Sequence, residues 1–108
     1  MVSHRQNYAR VIGLLLLMAT HLWAAVARVD LTCQPPTTGL TPTGYNFYRA
    51  TSATGTPILL NQAPLSSCSY VDLTAVRGKT YFYTAASVNG TQVSSYAMPY
   101  VKVPIPRK

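Results

Sequence analysis

Gly44-Tyr45-Asn46-Phe47-Tyr48-Arg49-Ala50 sets aromatic residues at alternating positions within a seven-residue run. A period of two places Tyr45, Phe47 and Arg49 on one face and Asn46 and Tyr48 on the other, the pattern of a strand inside a sheet. The run reads as the central strand of a small β-sandwich. Everything after residue 27 can be placed relative to it.

Composition supports an all-β chain of one domain. The 108 residues carry nine Lys and Arg against two acids, Asp30 and Asp72. Glu, a strong helix former, is absent. Thr, Tyr, Val, Gly and Pro are abundant instead, and they favour strands and turns. A net charge of +7 raises the question of an anionic partner, because excess positive charge speeds encounter with polyanions. Arg5 and Arg10 belong to the N-terminal segment discussed next. The other seven cations, Arg28, Arg49, Arg77, Lys79, Lys102, Arg107 and Lys108, form no run longer than two. They are scattered along the sequence, with no basic stretch interleaved with stacking aromatics, so no nucleic-acid partner is expected.

Residues 1–27 have the three parts of a secretory signal peptide. His4, Arg5 and Arg10 make a basic start, Val-Ile-Gly-Leu-Leu-Leu-Leu-Met from Val11 makes an apolar centre, and Ala25-Val26-Ala27 offers small residues to a signal peptidase. Cleavage is expected after Ala27, leaving a domain of residues 28–108. The competing reading is a permanent anchor, but the apolar stretch is shorter than the roughly 20 residues that cross a bilayer and contains Thr20 and His21. A secreted or periplasmic location, with no stable membrane insertion after cleavage, is therefore expected.

Export also decides which chemistry is open to the mature chain. Both histidines, His4 and His21, precede residue 28, and Cys33 and Cys68 are the only cysteines. A zinc site lacks ligands, and the Ser-His and Cys-His nucleophile pairs lack their base. No catalytic residue, no metal and no cofactor is expected.

Short strands follow one another from residue 29 onward, separated by turn signals. Residues 29–33 alternate and stop at Pro35-Pro36, and 37–43 make a loop before the Gly44 strand. Residues 58–61 form an edge strand that Pro57 can only begin. Strands at 68–72 and 79–88 follow, the second being the longest, and Asn89-Gly90 reads as a hairpin turn. A last strand through 93–96 breaks at Met98-Pro99 and resumes over 100–103.

Three of these segments together carry a family likeness. Gly44-Tyr45-Asn46-Phe47-Tyr48-Arg49 resembles the third strand of a fibronectin type III module, Ser69-Tyr70-Val71-Asp72 the approach to the fifth, and Gly78-Lys79-Thr80-Tyr81-Phe82-Tyr83 the start of the sixth. Their order and spacing also match, over roughly residues 29–106, in the style of modules found in secreted bacterial proteins. The resemblance implies an immunoglobulin-like sandwich of two antiparallel sheets. It also implies a tyrosine corner at Tyr81, whose hydroxyl would bond back to the preceding loop.

The sequence departs from the family twice. Cys33 stands where the family buries a tryptophan, and the resulting gap would cost several kcal/mol unless something filled it. The family's second and fifth strands are neighbours, and parity lets both sulfurs face the core, so the resemblance implies a Cys33–Cys68 disulfide. The alternative is two buried free thiols. The second departure is a first strand that is missing or supplied by residues 22–27. An exposed edge of that kind invites strand pairing with a partner or a homodimer.

For function, the outward side of the Gly44 strand and its neighbour is expected to show Tyr48 and Phe82, with Arg49 and Lys102 near the rim. These four make a candidate binding surface for an extracellular protein or polysaccharide. The competing reading is a cross-strand aromatic pair that only stabilises the sheet. The expectation is a secreted, non-catalytic fibronectin type III-like module acting as a binding or spacer unit. The alternative is a small cationic secreted protein that binds anionic surfaces by charge.

Overall fold

In the computed structural model, which describes residues 10–17 and 26–108, eight strands build two antiparallel sheets. They are β1 (Arg10–Leu17), β2 (Val26–Gln34), β3 (Gly44–Ala50), β4 (Ile58–Leu59), β5 (Ser69–Val76), β6 (Thr80–Asn89), β7 (Gln92–Val93) and β8 (Val101–Pro104). The first sheet has the order β1-β2-β5. The second runs β4-β3-β6-β7, with β8 also pairing β6.

Alternation builds the interior. From β2, Ala27, Val29, Leu31 and Cys33 are buried while Val26, Arg28, Thr32 and Gln34 are exposed. They meet Tyr45 and Phe47 of β3 and Tyr81, Tyr83 and Ala85 of β6, with Ala75, Val103 and Ile105 completing the cluster. Phe47 and Tyr70 stack across the two sheets with ring centres 5.9 Å apart. Apolar surface removed from water by such facing side chains is the main driving force for this sandwich.

Cys33 and Cys68 are joined, with their Cα atoms 5.1 Å apart. The backbone N–H of Cys33 donates to the carbonyl of Cys68 at 2.8 Å, so the bridge sits where β2 and the approach to β5 are already paired. The disulfide thus occupies the core position expected of it, and it suits an oxidising compartment outside the cytosol.

The edge of β2 is not open. Residues Arg10–Leu17, the last basic residue and most of the apolar centre of the expected leader, pair with β2 from Arg10↔Gln34 to Leu17↔Arg28. The first strand is thus present, and it comes from earlier in the chain than residues 22–27. Val26 and Ala27 belong to β2 itself, because Ala27 faces the core and is paired with Ala75. The rest of the expected leader, 1–9 and 18–25, lies outside the described residues.

The hairpin after β6 also shifts by one residue. Asn89 pairs with Gln92, so the loop is Gly90-Thr91, with Gly90 at φ 61°. Glycine at the first loop position is what a two-residue turn with a left-handed first residue requires. The Asn89 side chain instead donates to the carbonyl of Thr41, tying this turn to the loop before β3.

Candidate binding face

Strand β6 is buried on both sides. Its inward residues fill the core, and its outward residues Thr84 and Ala86 are fully covered as well. The cover is the segment between β7 and β8. The N–H of Ser94 bonds to the Ser87 carbonyl and that of Ala97 to the Ala85 carbonyl, both at 2.9 Å, while the Thr84 hydroxyl donates to the Ala97 carbonyl at 2.6 Å.

This segment carries Tyr96 over the outer face of the second sheet, where its ring meets Tyr48 edge-on at 4.9 Å. Tyr100 continues the row, 6.4 Å from Tyr96 and again edge-on. Edge-to-face contacts of this kind are worth about 1 kcal/mol beyond the area they bury. Asn46 donates to the Tyr48 hydroxyl at 3.3 Å. Burial raises the pKa of the Tyr48 phenol; the Asn46 bond opposes this and the neighbouring Tyr96 adds to it. All three rings remain partly exposed, and Met98 beside them is 58% exposed.

The expected four-residue surface is rearranged. Tyr48 lies opposite Thr84 and Phe82 opposite Ala50, so the two aromatics are offset along the strands, and the ring partner of Tyr48 is Tyr96. Lys102 is exposed and directly opposite Phe82. Arg49 is not at the rim of this face. Sharing the parity of Tyr45 and Phe47, it turns inward to reach Asp72 at 3.0 Å and the Thr74 hydroxyl at 2.8 Å on the other sheet.

That inward turn satisfies the buried Asp72, which is 1% exposed. One carboxylate oxygen accepts from Arg49 and from the Tyr83 hydroxyl at 2.6 Å; the other accepts from the N–H and hydroxyl of Thr74. Burial pushes this carboxyl upward, but the Thr74 and Tyr83 hydrogen bonds and the Arg49 charge together hold it below its ordinary value. The pKa of Tyr83 is driven far above its normal range, first by burial and then by the Asp72 carboxylate it bonds. The Arg49 guanidinium also lies 4.5 Å over the Tyr81 ring. A fully bonded carboxylate of this kind ties the sheets together and has no free lone pair to offer a substrate.

Comparison with solved structures decides the architecture. A Fn3-like protein from Clostridium thermocellum superposes at a TM-score of 0.60 and 20% identity, covering 93% of this chain and 95% of that one. A myokine structure superposes at 0.59 and 12% identity, covering 93% of this chain and 99% of its own. The fold is fibronectin type III-like. No family model and no curated protein matches the sequence.

Within this fibronectin type III-like frame, the Tyr81 hydroxyl accepts a hydrogen bond from the backbone N–H of Val76 at 3.1 Å, just before the turn into β6. Sequence reasoning missed Tyr96 and Tyr100 as members of the face. Alternation fails between Val93 and Val101, so the faces of these residues could not be read, although two tyrosines flanking an interrupted strand were a usable signal.

Proposed function

We propose that the chain is an exported, non-catalytic fibronectin type III-like module that binds an extracellular protein or polysaccharide through the outer face of its second sheet. One observation carries the reading. Tyr48, Tyr96 and Tyr100 form a row of partly exposed rings across that face, and aromatic side chains are the commonest anchors of binding surfaces. Lys102 borders the row and adds a charged contact. The two acids of the chain support the non-catalytic reading, since Asp72 is consumed by hydrogen bonds and Asp30 by its ion pair with Arg28.

Export is part of the proposal, with residues 1–27 as the leader. Cleavage after Ala27 would take β1 away and leave the backbone groups of β2 unpaired along one edge, a surface for strand pairing or a homodimer. The module neither stays in a membrane nor binds nucleic acid. The test is the double variant Tyr48→Ser/Tyr100→Ser, compared with the wild type in pull-downs of envelope and matrix fractions. Loss of partners with little change in thermal stability supports the reading. Unchanged partners with only stability altered would remove it.

A further inference from the structure

Cations scattered along the sequence converge in space. β6 pairs with β8 so that Thr80 faces Pro104 and Phe82 faces Lys102. The pairing continues past both strand ends, with the Ile105 N–H donating to the Lys79 carbonyl at 2.8 Å and the Gly78 N–H to the Ile105 carbonyl at 3.0 Å. This zip sets Lys79 opposite Ile105, two residues before Arg107 and three before Lys108. Gly78, at φ 85°, makes the tight turn, and the Arg107 side chain packs 3.6 Å from where a Gly78 side chain would begin. Neighbouring strands lie about 5 Å apart. Lys79, Arg107 and Lys108 therefore lie toward one end of the sandwich, with Arg77 in the same turn and Lys102 further along β8 opposite Phe82; Lys79, Lys102, Arg107 and Lys108 are all exposed.

No carboxylate side chain offsets them. The only two in the chain are engaged elsewhere, Asp72 with Arg49 and Asp30 with Arg28. The excess of positive charge after residue 27 is thus carried by Arg77, Lys79, Arg107 and Lys108 toward this pole and by Lys102 further along β8. At physiological ionic strength charges are screened over about 8 Å, so cations on adjacent strands act jointly while those at opposite ends of the molecule do not.

We infer that this basic pole, continued by Lys102 and Tyr100 onto the tyrosine face, is a binding track for an acidic polysaccharide. The inference rests on the proposed role as an exported binding module and names its partner class. The shape of the track selects the ligand. Lys102 sits back from the pole on the outer sheet face beside Phe82, so charge and phenol groups follow a line that a flexible polymer can trace. A membrane plane would meet only the end of the sandwich. Stacked nucleobases would need ring faces free along a basic stretch, whereas these tyrosines pack edge-to-face against one another at interplanar angles of 67° and 76°.

The test is titration calorimetry of the exported protein against polygalacturonate, dextran sulfate and vesicles of phosphatidylglycerol, with neutral dextran as control, across a salt series. The variant Lys79→Gln/Lys102→Gln/Arg107→Gln/Lys108→Gln removes the pole. A second variant, Thr38→Glu/Gln62→Glu/Ser66→Glu/Thr91→Glu, lowers net charge equally at exposed sites around the opposite end. The expected result is binding to one or both acidic polymers that weakens about tenfold or more in the pole variant and far less in the charge-matched one. The preferred polymer separates carboxylate from sulfate recognition. Equal weakening in both variants would reduce the effect to net charge and overturn the inference. So would binding only to vesicles of phosphatidylglycerol, or no binding to either acidic polymer. Binding of neutral dextran that depends on Tyr48 and Tyr100 but not on the pole would overturn the inference while leaving the proposed function standing.

Discussion

Asp72 is the residue on which the two sheets are fastened. Its carboxylate is held below its ordinary pKa, so it contributes stability at pH values above its unfolded pKa of about 4 and loses that contribution as acid protonates the folded state. Chemical denaturation across pH should show a decline below about pH 4 that Asp72→Asn flattens. At neutral pH the same variant should cost about 3 kcal/mol, because it leaves the Arg49 guanidinium, which is largely buried, without its counter-charge. Tyr83 has the opposite sign. Its raised pKa keeps the phenol neutral when folded, so stability should fall as pH rises above about 10, where the unfolded chain ionises and the folded one resists. Tyr83→Phe should remove most of that alkaline decline, again read by denaturation. The pairing was legible in principle. Parity places both Arg49 and Asp72 inward, and a buried acid needs a partner, yet Arg49 reads as a surface cation until the neighbouring strand is in place.

Among the elements, β2 has the most at stake. It is the middle strand of its sheet, bonded to β1 on one side and β5 on the other, and it carries Cys33. The disulfide closes a loop of 35 residues, and by loop entropy its reduction should cost about 3 to 4 kcal/mol, measurable as a lower urea midpoint in the reduced protein. The alternation of β2, β3 and β6 made the sandwich readable, and family likeness placed Cys33 against Cys68. β1 was not readable as a strand, because a continuous apolar run has no period to distinguish a leader from a buried strand. Intact mass and sedimentation of the protein expressed from the full reading frame address that overlap together. The leader reading predicts a chain beginning at Arg28 that associates with rising concentration through the uncovered β2 edge. A monomer that retains Arg10–Leu17 would contradict it.

At the scale of the whole molecule, polarity of charge is the property that linear reading could least supply. Lys79 and Arg107 are neighbours only because β6 and β8 run antiparallel and stay paired beyond their ends. The tyrosine row likewise depends on the segment after β7 folding back over β6. Both features lie on or beside the second sheet; among the described residues, the outer face of the first sheet, with Arg28, Asp30 and Thr32, carries neither a tyrosine row nor a group of unpaired cations. A ligand is therefore expected on the second sheet and its basic end, and backbone amide chemical shifts recorded during titration with polygalacturonate test this residue by residue. The predicted result is shifts concentrated at Lys79, Tyr100, Lys102, Arg107 and Tyr48. Shifts confined to Arg28, Asp30, Thr32 and the outward residues of β5, or none at saturating polymer, would contradict it.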